Sequence, residues 1–139
     1  MKITVGGSMI FAKEQVEVKK LLEQRGHEVL LTENIEDYVK LPEIKQNIKK
    51  EIQISLDYDI MKNFFKKIEE SDAFLICNYP KNGIKGYLGT SVLMEIGVAH
   101  HISKRIYLLY DIDKSQNYAV EVSLINPIVL NGNLNVVRD

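Results

Sequence analysis

Ala73-Phe74-Leu75-Ile76-Cys77 is an apolar run with no alternation. A strand with one wet face alternates polar and apolar side chains, so an unbroken run reads as a strand covered on both faces, as in the middle of a parallel sheet. Asp72 leads into it, and Asn78-Tyr79-Pro80-Lys81-Asn82-Gly83-Ile84-Lys85-Gly86 leaves it as a loop dense in turn formers. Beyond the loop, Gly89-Thr90-Ser91 opens a helix, Val92-Leu93-Met94-Glu95-Ile96-Gly97-Val98-Ala99. Its apolar residues occupy every angle of a 3.6-residue turn, so the helix is expected to be buried all round. A second unalternating strand, Ile106-Tyr107-Leu108-Leu109-Tyr110, follows Lys104 and Arg105.

Outward from this centre the same order repeats. Ile3 to Val5 reads as a short buried strand, Gly6-Gly7-Ser8 as a turn, and Phe11, Val18, Leu21 and Leu22 as one face of a helix that ends at Gly26. His27 to Leu31 supplies a second strand, which makes the unit a right-handed parallel crossover. A helix with Ile60, Met61, Phe64, Phe65 and Ile68 on one stripe precedes Asp72, with Asp57 and Asp59 as charges for its N-terminus. Its Lys62, Lys66, Lys67 and Glu69 read as a solvated face. Residues 33 to 56 are the least readable: Pro42 breaks the pattern, and Ile44, Ile48 and Ile52 suggest a short helix accompanied by Lys45, Lys49 and Lys50. That segment reads as a solvated helical insertion, or as a cover over a neighbouring site. After Tyr110, residues 111 to 124 read as a loop with a short helix, Pro127 to Leu130 as a last strand, and Asn131-Gly132-Asn133 as a turn. The sum is an α/β chain with a doubly wound, Rossmann- or flavodoxin-like sheet of five parallel strands and helices on both faces. Its ligand is expected beyond the carboxyl ends of the strands.

The chain's 139 residues fit a single domain over 1–139. With 45% hydrophobic and 27% charged residues and a formal net charge of −1, it has no basic field that would bind nucleic acid. No apolar run approaches the ~20 residues of a membrane span, and the N-terminal run is too short for a secretion signal. The expectation is a cytoplasmic protein with neither membrane nor nucleic-acid partner. Cys77 is the single cysteine, so no intramolecular disulfide forms, and its apolar setting reads as a buried, inert thiol.

Few residues carry candidate chemistry. Glu95 is a carboxylate in an apolar helix, which is either a structural Glu bonded to backbone groups or a catalytic one facing a pocket. The turns Gly6-Gly7-Ser8 and Gly89-Thr90-Ser91 each place a helix N-terminus and a hydroxyl at the ligand edge, which suits a phosphate or carboxylate; tight turns with a capping hydroxyl explain both equally well. Asn78 ends the central strand and either offers its amide to a base or sugar or forms an Asx turn into Pro80. Tyr79 and Tyr87 either stack on a base or close the loop. A shared metal on Glu95 and His100 or His101 is excluded by spacing, since these lie about 140° and 240° around the helix from Glu95. No chemistry is assigned to His27, His100 or His101, and no cofactor is expected.

Val5-Gly6-Gly7-Ser8, the strand-end Asn78, and above all Met94-Glu95-Ile96-Gly97-Val98-Ala99 with Lys104-Arg105-Ile106-Tyr107-Leu108-Leu109 behind it resemble the nucleoside 2-deoxyribosyltransferase-like superfamily, in order and over most of the chain. The resemblance implies that Glu95 is the nucleophile attacking the anomeric carbon of a 2-deoxyribose. Members transfer that sugar to another base or hydrolyse a deoxynucleotide. It also implies a homodimer or higher homo-oligomer with a neighbour helping to close the pocket. The chain departs from the pattern at Thr4, where a tyrosine is usual, at Ser8, where a proline is usual, and at Gly89, where transferases often carry an aspartate that helps the base leave. The expected function is therefore N-glycosidic bond cleavage or 2-deoxyribosyl transfer on a nucleoside or nucleoside 5′-monophosphate. The alternative is a non-catalytic nucleotide-binding or sensing module of the same fold, which Gly89 favours.

Overall fold

A computed structural model describes residues 1–40 and 47–139. The strands are β1 (Lys2–Gly6), β2 (Glu28–Leu30), β3 (Ala73–Ile76), β4 (Arg105–Leu108) and β5 (Ile128–Val129). The helices are α1 (Ala12–Glu23), α2 (Ile35–Lys40), α3 (Ile48–Tyr58), α4 (Ile60–Glu70), α5 (Thr90–His101) and α6 (Ala119–Ile125). Every strand pairing is parallel, in the order β2-β1-β3-β4-β5, with Ile3 between Val29 and Ala73, and Tyr107 between Leu75 and Ile128.

The absence of alternation in the central strands has a direct cause. On one face, Val18 and Leu22 of α1 cover Ile3, Val5, Leu75 and Tyr107. On the other, Phe64 and Ile68 of α4, Val92 and Ile96 of α5 and Val122 of α6 cover Phe74, Ile76, Ile106 and Leu108. Neither face meets water, so both sets of side chains are apolar. The chain winds outward from β1 to β2 and then back across to β3, β4 and β5. The crevice at the carboxyl ends of β1 and β3 is therefore the switch point where such folds bind ligands.

Several expectations are corrected. Helix α5 is not buried all round: Val92, Ile96 and Ala99 face the sheet, while Met94 is 47% exposed and Gly97 lies open to solvent. One sheet face simply cannot cover a whole helix circumference. Leu21, assigned to the core stripe of α1, is exposed, and Met61 of α4 is 50% exposed. Asp59 precedes α4 in a left-handed conformation and makes no side-chain capping bond. The described residues of the unreadable segment include the helices α2 and α3, whereas Pro42, Ile44 and Lys45 lie outside the described residues. A short 3-10 turn, Leu134–Val136, brings Leu134 and Val137 into the core beside α1, a role their isolated positions in a polar tail did not signal.

Candidate functional site

β1 runs out at Gly6, and no side chain fits there: a Cβ would stand 2.9 Å from the rings of both Phe64 and Phe74. At Gly7 the backbone has φ +148, and a Cβ would meet the Cys77 carbonyl oxygen at 2.9 Å. The two glycines thus let the turn press against the end of β3 and the aromatic floor beneath it. Gln15 of α1 fastens the turn from the other side, its Nε2 donating to the Ser8 carbonyl at 2.9 Å.

The second turn is shaped by the loop after β3. Lys81 and Ile84 exchange backbone hydrogen bonds of 3.0 and 2.9 Å across Asn82 and Gly83, both of which have positive φ, as the Asn-Gly pair of a primed turn requires. Gly86, at φ +59, lies against the Asp111 backbone, where a Cβ would collide with the carbonyl. This fold of the loop carries Lys81 back over the site. Its Nζ lies 5.0 Å from the Tyr87 ring centroid and 3.5 Å from the Ser8 hydroxyl. α5 then begins at Thr90 behind Gly89 with no side-chain cap, so the N–H groups of its first turn and the positive end of its dipole remain available to an anion.

Both turns line one cavity of about 450 Å³, a size suited to a small-molecule ligand. Gly6, Gly7, Ser8, Gly89, Thr90, Ser91 and Glu95 all contribute to its wall. Glu95 sits one helical turn beyond Ser91 on the same side of α5. It makes no hydrogen bond or ion pair among the described residues, and burial pushes its carboxyl up from 4.5 to about 8. Of the two readings of Glu95 left open by the sequence, the bonded structural one finds no partner here. Met61, Phe64 and Phe65 of α4 add an apolar wall, and Thr32, Asn34, Tyr38 and Glu51 a polar one.

Asn78 is the site residue that the structure corrects. It is 2% exposed, its Nδ2 donates to the Tyr110 carbonyl at 2.7 Å, and its Oδ1 accepts from the Tyr110 N–H at 2.9 Å. Both ends of the amide are spent on joining the end of β3 to the continuation of β4, and Asn78 does not line the cavity. Tyr79 is likewise turned to the α1 face, against Phe11 and Tyr110, with ring centroids 5.2 and 6.0 Å away. Tyr87, by contrast, lines the cavity. Lys81, Tyr38 and Glu51 were not singled out from the sequence. The Lys-Asn-Gly turn was the available signal for Lys81; nothing local marked the other two.

Cys77 is fully buried, and burial raises its thiol well above the ordinary range. Among the described residues no group of three or more His, Cys, Asp or Glu is placed to hold a metal ion, and no helix is long and apolar enough to cross a membrane. No protein-family model matches this chain, and no curated protein sequence matches it either.

Proposed function

We propose that this chain cleaves or exchanges the N-glycosidic bond of a nucleoside or nucleoside 5′-monophosphate, with Glu95 as the nucleophile. The observation that carries the reading is a desolvated, unbonded carboxylate in the wall of a switch-point cavity, flanked by the two anion-friendly turns. In the reaction, a Glu95 carboxylate oxygen bonds to the anomeric carbon as the carbon–nitrogen bond breaks, its electron pair leaving with the base, which takes up a proton. Water, or a second base, then attacks the same carbon and loses a proton, and the ester bond breaks to return the carboxylate. Two displacements retain configuration, as in retaining glycosidases, and pass through oxocarbenium-like states. Gly6-Gly7-Ser8 and Gly89-Thr90-Ser91, with Lys81 between them, would hold a 5′-phosphate.

A second reading, a nucleotide-binding module without turnover, is favoured by two observations. Glu95 is largely protonated at neutral pH in the empty cavity, and no carboxylate stands at Gly89 to help a base leave. We further infer a cytoplasmic homodimer, because Ile52, Leu56, Met61 and Met94 leave exposed apolar surface on α3, α4 and α5. The deciding experiment is release of free base from deoxynucleosides and their monophosphates, followed by chromatography. Release that Glu95→Ala abolishes supports the enzyme; binding with no release supports the module; release that survives Glu95→Ala rejects the nucleophile. Light scattering at 16.0 kDa at high protein concentration would reject the dimer.

A further inference from the structure

The donors on the elements around Glu95 are engaged elsewhere. Thr4 of β1 donates to the Lys67 carbonyl of α4 at 3.0 Å and lies 2.7 Å from the Ser71 hydroxyl. The Tyr38 hydroxyl donates to Glu51 Oε1 at 3.2 Å, and Lys81 Nζ stands 3.5 Å from the Ser8 hydroxyl and over the Tyr87 ring. Neither these groups nor Ser91, one helical turn before Glu95, hydrogen-bond it, and burial alone acts on its carboxyl. Glu95 therefore brings two oxygens to the cavity wall with no donor for either among the described residues. Water can reach them only until a ligand fills the cavity.

The stereochemistry of the displacement says which part of a ligand replaces that water. The nucleophile approaches the anomeric carbon from the face opposite the departing base, so Glu95 lies beneath the sugar. As one carboxylate oxygen meets the anomeric carbon, the other comes beside the neighbouring 2′-carbon. In a ribonucleoside the 2′-hydroxyl stands on this same lower face. In a 2′-deoxyribonucleoside there is only hydrogen, and in an arabinonucleoside the hydroxyl points up, towards the base. A 2′-deoxyribose thus strips the carboxylate of water and leaves one oxygen without a donor, which costs the desolvation of that acceptor; a ribose supplies its own O–H in place of the water. In retaining glycosidases the hydrogen bonds to the hydroxyl next to the anomeric carbon also strengthen towards the transition state.

We propose that the chain prefers ribonucleoside 5′-monophosphates to their 2′-deoxy counterparts, with Glu95 accepting a hydrogen bond from the 2′-hydroxyl as well as attacking the anomeric carbon. The 2′-deoxy compounds bind in the same pose, with that contact missing. This inference rests on the N-glycoside reading above and assigns a different preferred sugar from the one the resemblance implies.

The test is calorimetric binding at pH 9, above the value of about 8 at which Glu95 ionises in the empty cavity. The probes are carbocyclic nucleoside 5′-monophosphates, which a methylene in place of the ring oxygen makes resistant to cleavage. Each of adenine, guanine, cytosine and uracil is carried in ribo, 2′-deoxy and arabino form. In at least one set the ribo form is expected to bind native protein at least about tenfold more tightly than the other two, as a hydrogen bond to a charged acceptor warrants. Glu95→Gln, whose amide oxygen accepts without charge, should keep a smaller preference. Glu95→Ala, first shown to be folded by its melting transition, should bring all three forms within about threefold. Ribo and 2′-deoxy forms within about threefold on native protein, or a preference for the 2′-deoxy form, overturn this proposal and leave the N-glycoside reading standing. Equal binding of the ribo and arabino forms also overturns it, and so does a ribo preference that survives Glu95→Ala, since either places the hydroxyl on another group. Binding of no probe overturns both.

Discussion

Replacing Glu95 by Gln should make the folded protein more stable, by an amount that grows as the pH rises from about 4.5 to about 8. In the folded state the carboxyl keeps its proton up to about pH 8, whereas in the unfolded chain it loses it near the ordinary 4.5. Between those values the folded state holds more protons than the unfolded one, so raising the pH erodes stability. Below about 4.5 both states are protonated and the penalty vanishes; above about 8 it is complete. The span from 4.5 to about 8, at about 1.4 kcal/mol per pH unit, sets an upper limit of about 5 kcal/mol, and water entering the cavity lowers the expected figure to roughly 2–4 kcal/mol. Gln is neutral and nearly isosteric, so it escapes the penalty. Urea titrations of native protein and Glu95→Gln should give matching unfolding free energies near pH 4.5, and a gap of roughly 2–4 kcal/mol in favour of the variant near pH 8.5, worth about 10 °C in melting temperature. A gap that does not change with pH, or one of opposite sign, would refute the desolvated carboxylate and with it the main support for a catalytic Glu95.

Five further outcomes are expected. If Glu95 is the nucleophile, kcat/KM for base release should rise about tenfold per pH unit below about 8 and level above it, because the free enzyme must first ionise this group; a flat profile from pH 6 to 9 argues against it. Lys81→Ala should weaken a deoxynucleoside monophosphate by about 1–2 kcal/mol and leave the matched nucleoside unchanged, read by calorimetry, and equal losses would remove the phosphate contact. Gly86→Ala should destabilise by more than about 2 kcal/mol, because its Cβ collides with the Asp111 carbonyl at a positive φ. Gly97→Ala, whose Cβ meets nothing within 4 Å in a helix interior, should stabilise by about 0.5–1 kcal/mol in the same melts. Asn78→Ala should cost about 1–3 kcal/mol of stability through the Tyr110 backbone groups it strands, with ligand affinity intact in the folded fraction.

What the sequence disclosed and what it hid divide along a physical line. Burial on both faces leaves its mark in consecutive residues, so Ala73 to Cys77 and Ile106 to Leu109 announced a parallel sheet, and the sheet fixed the crevice in which Gly6, Gly7, Ser8 and Glu95 meet. Side-chain direction is a different matter. Asn78 and Glu95 were both polar residues next to apolar runs, and nothing local showed that one would be spent on the Tyr110 backbone while the other would be left without a partner among the described residues. The helix around Glu95 misled for a related reason: its apolar residues at every angle imply burial only if something covers every angle, and within one chain only the sheet does. The polar wall was least legible of all. Thr32, Asn34, Tyr38 and Glu51 come from a loop and two helices with no common period, and only the return of the chain across β1 sets them beside the turn that Lys81 closes from the other side. A reader of periodicity sees the scaffold because each element repeats its own instruction. A site assembled from several chain segments repeats nothing, so its members become visible only when the topology has placed them together.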